Sequence, residues 1–211
     1  MNNENYHLKI ILLAAGKSER FKAIKLLAKI EQKDNSITLI EQVLQQISVS
    51  LKGLNIAEDN LQVATGIYHT ELDKCIGNNF SLSFCQHADN GLGHTIAQSV
   101  ENIVSNDSNT SHIMITLADQ IALDADDYTR LIKQSLTRPN KLICAKAAQE
   151  IMPPAIFPRL YFTQLMNLTG DKGAKAVLHK NKENLHEVIM ENALIDIDTQ
   201  QDLASWHKKR H

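Results

Sequence analysis

Gly16, Ser18, Arg20 and Lys25 stand within one short stretch, "LLAAGKSERFKAIK" (12–25), directly behind an apolar run. A glycine there lets the backbone turn sharply and approach a ligand closely. The exposed amides of such a turn, with the Ser18 hydroxyl, can accept an anion. Arg20 and Lys25 add full positive charges, and the set suits a triphosphate. A strand-ending turn with a solvated basic face uses the same residues and is the competing reading at this point. Asp119 supplies the opposite sign. It follows the apolar run "HIMITLA" (112–118), and Asp124 rather than Asp119 precedes the next helical pattern as its cap. A lone carboxylate at a strand end suits Mg²⁺, which takes one or two protein carboxylates and completes its shell with phosphate oxygens and water. In "ALIDIDTQQDL" (193–203), Asp196 and Asp198 end a late apolar stretch. Strand alternation puts both on one face. Thr199 is available to cap the helix that follows, which leaves both aspartates free. Two carboxylate strand ends and one basic glycine loop would enclose a metal–triphosphate.

Two better-known phosphate loops are excluded by spacing. "GKS" (16–18) mimics the end of a Walker A loop, but the glycine required five positions earlier is Ile11. A dinucleotide GxGxxG would need glycines where Ser18 and Phe21 stand.

The elements that must position these residues alternate along the chain. Apolar runs predict strands at "LKIILLAA" (8–15), 61–65, 80–85, 112–118, 141–146, 154–157 and 193–198. Helical patterns fill the intervals. The first, "ITLIEQVLQQIS", carries Ile40, Val43, Leu44 and Ile47 on one stripe and a Thr38–Glu41 capping box. Others are predicted over 95–104, 124–136, 159–168 and 173–180, with a last one after Thr199 and Asp202 at its third position. This order predicts an α/β architecture with a mostly parallel sheet. In such sheets, ligands bind beyond the carboxyl ends of the strands. The polar stretch "VSNDSNTSH" (104–112) is expected to be an exposed loop.

Composition narrows the rest. With 211 residues, 43% of them apolar, the chain can fill one core, so a single domain over 1–211 is expected. A net charge of −2 provides no global basic field for nucleic acid or an anionic membrane, so anion handling must be local. No apolar run approaches the roughly 20 residues of a membrane span. "MNNENYHLK" has neither the basic start nor the apolar centre of a secretory signal, and a cytoplasmic location is expected. Cys75, Cys85 and Cys144 are scattered and read as reduced thiols.

Taken together in order, five segments resemble the MobA-like nucleotidyltransferases, especially the molybdenum cofactor cytidylyltransferases. The opening pattern, roughly LAAGxSxRMGxxK, resembles "LAAGKSERFKAIK". A middle GMGxS resembles "GLGHT" (91–95), and GDQP resembles "ADQI" (118–121). A late GDKGAR resembles "GDKGAK", and DIDTPEDL resembles "DIDTQQDL". The resemblance implies a single-domain Rossmann-like three-layer α/β/α fold. It also implies transfer of a nucleoside monophosphate from NTP, CTP favoured, to a phosphorylated acceptor, the molybdenum cofactor, with pyrophosphate released. A molybdoenzyme would receive the product. Nucleotide binding is then carried by Leu13, Ala14, Ala15, Gly16, Ser18, Arg20, Lys25, Gly91, Leu92, Gly93, Thr95 and Asp119. Lys25, Arg20 and Asp119 are catalytic. Asp119 and Asp198 hold Mg²⁺, with Asp196 as the alternative second carboxylate. His94 is either part of the pocket or an exposed loop residue, and Asp171 and Lys172 either join the site or begin a helix. The sequence departs from the pattern at Lys22, Ile24, Ala118 and Ile121, and at "MPP" (152–154) near the expected acceptor site. Two other readings share these motifs: a sugar- or alditol-phosphate nucleotidyltransferase, and a noncatalytic pterin-binding chaperone.

Overall fold

The strand β1 (Leu8–Ala14) is apolar at almost every position because helices cover both of its faces. Ile10, Leu12 and Ala14 enter one buried cluster, and Ile11 and Leu13 enter another. The computed structural model describes residues 6–21, 23–31 and 35–209. After β1 come a short antiparallel pair, β2 (Lys29–Glu31) and β3 (Ser36–Thr38), then α1 (Leu39–Gly53), β4 (Leu61–Thr65), α2 (His69–Ile76) and β5 (Ser81–Phe84). The central part holds α3 (Leu92–Asn106), β6 (His112–Leu117) and α4 (Ala125–Thr137). The chain continues through β7 (Leu142–Ala147), β8 (Glu150–Pro158), α5 (Phe162–Met166), α6 (Ala174–Lys180), β9 (Leu185–Ile189) and α7 (Gln200–Lys209).

The main sheet runs β5-β4-β1-β6-β8-β7-β9. Its pairs are parallel except at β8, which lies antiparallel to both β6 and β7. The α1 and α4 helices pack on one face through Val43, Leu44, Ile47, Tyr128, Leu131 and Ile132. On the other face, α3, α5 and α6 pack through Ile96, Val100, Phe162, Leu165, Val177 and Leu178. This is the expected three-layer arrangement. The Thr38–Glu41 capping box opens α1 as read, and Asp124 caps α4 as read, in a box completed by Asp127.

Several regions differ from the sequence expectation. β2, β3 and α2 are not among the predicted elements, and in the expected exposed loop 104–112 α3 runs on to Asn106 while Thr110 and His112 are buried. Residues 193–198 are not a strand. Glu191–Leu194 forms a short 3-10 turn and the chain then runs to Asp198 outside any strand. The last strand is instead β9, whose His186 and Glu187 break any apolar run; an edge strand beside β7 buries only Val188 fully. β8 is longer than "PAIF" and runs backwards, because Ala148 (φ 44°) and Gln149 (φ 71°) make a tight two-residue turn out of β7. Its Pro153 and Pro154 fall in the register break between Cys144 and Ala145, where ladder donors are not needed. Finally, α3 begins at Leu92 rather than Thr95, inside "GLGHT".

His112 opens β6 from a buried position. Its Nε2 donates to Pro139 O at 2.8 Å, and its ring lies 4.3 Å from that of Tyr6. Burial holds its pKa below the ordinary value, so the folded state favours the neutral ring. As pH falls, the unfolded chain takes up the proton first. His112 therefore adds stability that is present above about pH 6.5 and is lost as pH drops through the lower folded value. Urea unfolding at pH 7 and pH 5 should show a loss of stability on acidification that is smaller in His112→Gln. An identical loss in both proteins would place its source elsewhere.

Candidate functional site

β1 ends at Ala14 and the chain turns through Ala15, Gly16 and Lys17. The left-handed residue in this loop is Ser18 (φ 55°), not Gly16. What Gly16 contributes is room: a Cβ there would meet nothing within 4 Å. The loop is closed by Phe21 N–H donating to Ser18 O at 3.0 Å, and the buried Phe21 ring pins it to the core. Ser18 Oγ accepts from the backbone N–H of Lys25 at 3.3 Å, which leaves its own proton to donate. Lys25 begins one 3-10 turn anchored by the buried Leu26. Lys22 lies outside the described residues.

Lys25 joins the segments that the sequence reading brought to one rim. Its Nζ lies 2.8 Å from Asp119 Oδ2 and 3.1 Å from Asp198 Oδ1. Arg20 Nη2 reaches the other Asp198 oxygen at 2.6 Å. Asp119 sits just past β6, where Ala118 N–H still bonds Leu13 O at 3.1 Å. Asp119 O also accepts from Ile197 N–H at 3.4 Å, which lays the late segment beside the end of β6. Asp198 is fixed from its other side. Asp202 Oδ2 accepts from the amides of Asp198 (3.1 Å) and Thr199 (2.7 Å), and Thr199 Oγ1 accepts from Asp202 N–H. The capping box that the sequence announced for α7 is thus what positions a carboxylate. Gln120, given no role of its own within "ADQI", is buried behind Asp119. Its Nε2 donates to Pro153 O at 3.0 Å and Ala193 O at 2.9 Å, tying together the "MPP" segment and the turn that leads to Asp196.

Burial alone would lower the Lys25 pKa, but the charges and hydrogen bonds of Asp119 and Asp198 outweigh it and the net shift is upward. The ammonium is therefore charged throughout the physiological range. Asp196 is raised above the ordinary carboxylate value, first by burial and then by the charges of Asp198 and Asp119. It joins no ion pair among the described residues.

A cleft of about 440 Å³ opens at the glycine loop. Ala15, Gly16, Gly91, Leu92 and Thr95, all among the residues expected to bind nucleotide, line it. Leu13, Ala14 and Gly93 do not: the first two side chains are in the core, and Gly93 N–H bonds Gly170 O at 2.7 Å; Ser18, Arg20, Lys25 and Asp119 do not line it either. Lys17, Glu19, Ala88, Asp89 and Asp171 complete the lining. Lys17 Nζ and Asp89 Oδ1 pair across it at 3.3 Å. Asp171 is not a helix cap, because Gly173 occupies that position in α6. His94 Nδ1 lies 3.1 Å from Gly170 N and 3.0 Å from Asn90 O, so it holds one loop or the other according to its tautomer. Gly66 was also unread. A Cβ there would come 2.9 Å from Ala15 O, so its absence lets β4's end pack against the loop.

The fit of a divalent ion rests on Asp119 and Asp198. Asp119 Oδ1 is buried and has no hydrogen-bond partner. An orphaned acceptor of this kind calls for a cation or an unseen donor. Among the described residues, no group of three or more His, Cys, Asp or Glu side chains is arranged to hold a metal. A hard cation here would need oxygens from its substrate, as Mg²⁺ commonly takes in phosphate sites.

The family model for the MobA-like NTP transferase domain matches residues 10–187. The chain belongs to this family. The purine catabolism protein PucB of Bacillus subtilis (strain 168) is 26% identical over 196 residues, spanning 91% of this chain and 92% of PucB. Rv0371c of Mycobacterium tuberculosis H37Rv superposes with a TM-score of 0.77 at 18% identity, covering 96% of this chain and 98% of that one. A second structure of Rv0371c is a complex with manganese (TM-score 0.73, 18% identity, 95% and 98% covered). The 4-diphosphocytidyl-2C-methyl-D-erythritol synthase of Anaerococcus prevotii DSM 20548 superposes at 0.72 with 12% identity, over 98% and 97% of the two chains. These superpositions show the shared nucleotidyltransferase fold.

In this MobA-like chain the cleft depends on one backbone position. Gly91 has φ 110° and ψ 169°, a region almost closed to residues with a side chain. A Cβ at Gly91 would also fall 2.5 Å from the Gly170 carbonyl carbon. Gly91→Ala is expected to destabilise the protein by about 1–3 kcal/mol. It should also weaken nucleotide binding, because α3 and the Thr169–Asp171 loop must separate. Denaturant titration and calorimetric nucleotide titration would check both; unchanged values would show that the loop yields without cost.

Proposed function

We propose that this chain transfers CMP from CTP to a phosphorylated acceptor, the molybdenum cofactor, and releases pyrophosphate. A molybdoenzyme then receives the product. Membership of the MobA-like family supports nucleotidyl transfer. The observation that carries the site assignment is the meeting of Arg20, Lys25, Asp119 and Asp198 at the edge of the glycine loop. CTP and the acceptor rest on the likeness of "AAG" and the five ordered segments to the cytidylyl branch.

The chemistry follows from charge. An acceptor phosphate oxygen attacks the α-phosphorus, the bond from that phosphorus to the bridging oxygen breaks, and pyrophosphate leaves with the electron pair. The attacking oxygen is already anionic near neutrality, so no side chain has to remove a proton. The demands on the protein are placement and balance of charge on the α-phosphate and the leaving group. Gly16 gives the polyphosphate access to the loop amides, Ser18 can donate its hydroxyl proton, and Arg20 and Lys25 face the phosphates. Asp119 and Asp198 would hold the divalent ion, which supplies positive charge to phosphate oxygens; a relative of the same fold, Rv0371c, has been seen with manganese. The base and ribose fit the cleft of Ala15, Gly91, Leu92 and Thr95, where Asp171 joins them.

The test is to incubate the protein with each of the four NTPs, a divalent ion and molybdenum cofactor, and to measure pyrophosphate. CTP should give the fastest cofactor-dependent release. Absence of release with every nucleotide would overturn the transferase reading. Release that depends instead on sugar or alditol phosphates would keep nucleotidyl transfer and replace the acceptor.

A further inference from the structure

The space between Asp119 and Asp198 already contains a cation. Lys25 Nζ bridges Asp119 Oδ2 and Asp198 Oδ1 at 2.8 and 3.1 Å, and Arg20 takes the remaining Asp198 oxygen at 2.6 Å. Three of the four carboxylate oxygens are thus engaged, and the fourth, Asp119 Oδ1, is buried without a partner. The Lys25 side chain is 13% exposed, so water cannot readily replace what the carboxylates give it. We propose that Lys25 is the resident counter-ion of this carboxylate pair in the nucleotide-free protein. It yields its place to a divalent ion only when a nucleotide's polyphosphate arrives to receive the ammonium. The inference rests on the reading of Asp119 and Asp198 as metal-holding residues and adds the order in which the ligands must come.

The physical reason is that neither half of the exchange is favourable alone. A divalent ion entering while Lys25 stays would sit within a few ångströms of a like charge in a partly desolvated site. Expelling Lys25 without another anion would strand a largely buried ammonium. A triphosphate removes both costs, because its oxygens accept the lysine and help to neutralise the metal. The lysine stem is long and flexible enough to move. Its backbone is held by Ser18 Oγ and by buried Leu26, so the motion is confined to the side chain. Metal and nucleotide should then bind with positive coupling, and that coupling acts equally in both directions. The shortage of further ligands fits this account, since no third His, Cys, Asp or Glu is arranged to hold a metal among the described residues.

Mn²⁺ binding can be followed by electron paramagnetic resonance on the full chain without nucleotide. Lys25→Met keeps the length of the side chain and removes its charge. It should bind Mn²⁺ at least about tenfold more tightly than the native protein, the scale of one removed like charge in a partly buried site. Adding Asp119→Asn to Lys25→Met should abolish the gain. Equal or weaker Mn²⁺ binding by Lys25→Met overturns the exchange. Lys25→Gln carries the same expectation if the methionine variant does not fold. A parallel titration of the native protein with CTP, with and without Mn²⁺, separates the two levels. If the metal strengthens CTP binding in an Asp119-dependent way while Lys25→Met gains nothing, only the exchange falls. If metal-dependent CTP binding is indifferent to Asp119, the assignment of the metal site falls and the exchange with it.

Discussion

Asp119→Asn is expected to lower nucleotidyl transfer by about a hundredfold to a thousandfold, the scale of losing one preorganised electrostatic partner, while the fold stays intact. Asparagine keeps the shape of the side chain but removes its charge and turns an NH₂ group or a neutral oxygen toward Lys25. The ammonium then loses its shortest ion pair, at 2.8 Å, and the buried Oδ1 position loses its claim on a cation. The backbone role of Asp119, accepting from Ile197 N–H, is untouched. Circular dichroism and urea unfolding should therefore change little beside the rate. Asp196→Asn is the control. Asp196 lies close enough to Asp198 and Asp119 for their charges to raise its pKa, but it joins no ion pair among the described residues. Its replacement should cost less than about tenfold, in line with a charge that touches neither cation. Equal losses in the two variants would mean that total negative charge matters at this rim and that Asp119 has no special place.

The parts of this arrangement that could be read from the chain are those set by local chemistry. β1, β4 and β6 declare themselves by apolar runs, α1 and α7 by their capping boxes, and α4 by its Asp124 cap. The meeting of Gly16 and Asp119 follows once β1 and β6 lie side by side, because a parallel sheet puts their carboxyl ends on one edge. Asp198 is on no strand and is brought there by the Ile197 N–H bond to Asp119 O and by the Thr199–Asp202 cap. What escaped reading depends on contacts distant in sequence. Nothing in "NLHEVIM" marks an edge strand, since such a strand needs only one buried residue. The turn at Ala148 and Gln149 has none of the asparagine or glycine that usually betrays reversed φ, so the antiparallel β8 was hidden. Asp171 reads as a helix start; it reaches the cleft only because Gly91 and Gly93 let the Thr169–Asp171 loop lie against α3. Gln120 falls within "ADQI", but its tie cannot be read there, because its two acceptors, Pro153 O and Ala193 O, are brought to it by separate turns.

Lys25→Ala should slow transfer by about a hundredfold or more, and its value lies in what it does not share with Asp119→Asn. Both variants remove one member of the same ion pair, so a role confined to holding the rim together predicts similar behaviour. The two carboxylates tell the cases apart. Loss of Asp119 leaves a lysine with Asp198 alone and weakens any divalent ion. Loss of Lys25 leaves two carboxylates, one oxygen of them buried, with only Arg20 to balance them. Such a site attracts divalent ions more strongly yet has lost the ammonium that should follow charge onto the α-phosphate and the departing pyrophosphate. Tighter metal binding and slower turnover in one variant cannot come from a damaged scaffold, which would weaken both. Arginine at 25 should not restore the rate. Its planar fork is wider than an ammonium, and the native side chain is only 13% exposed between two carboxylates. The pH profile supplies the remaining check. The Lys25 pKa is raised above its ordinary value in the nucleotide-free protein, so kcat/KM, which reports that state, should show no loss from lysine deprotonation anywhere in the neutral or mildly alkaline range. A basic limb near pH 8 that vanishes in Lys25→Ala would contradict the ion-paired ammonium on which this assignment depends.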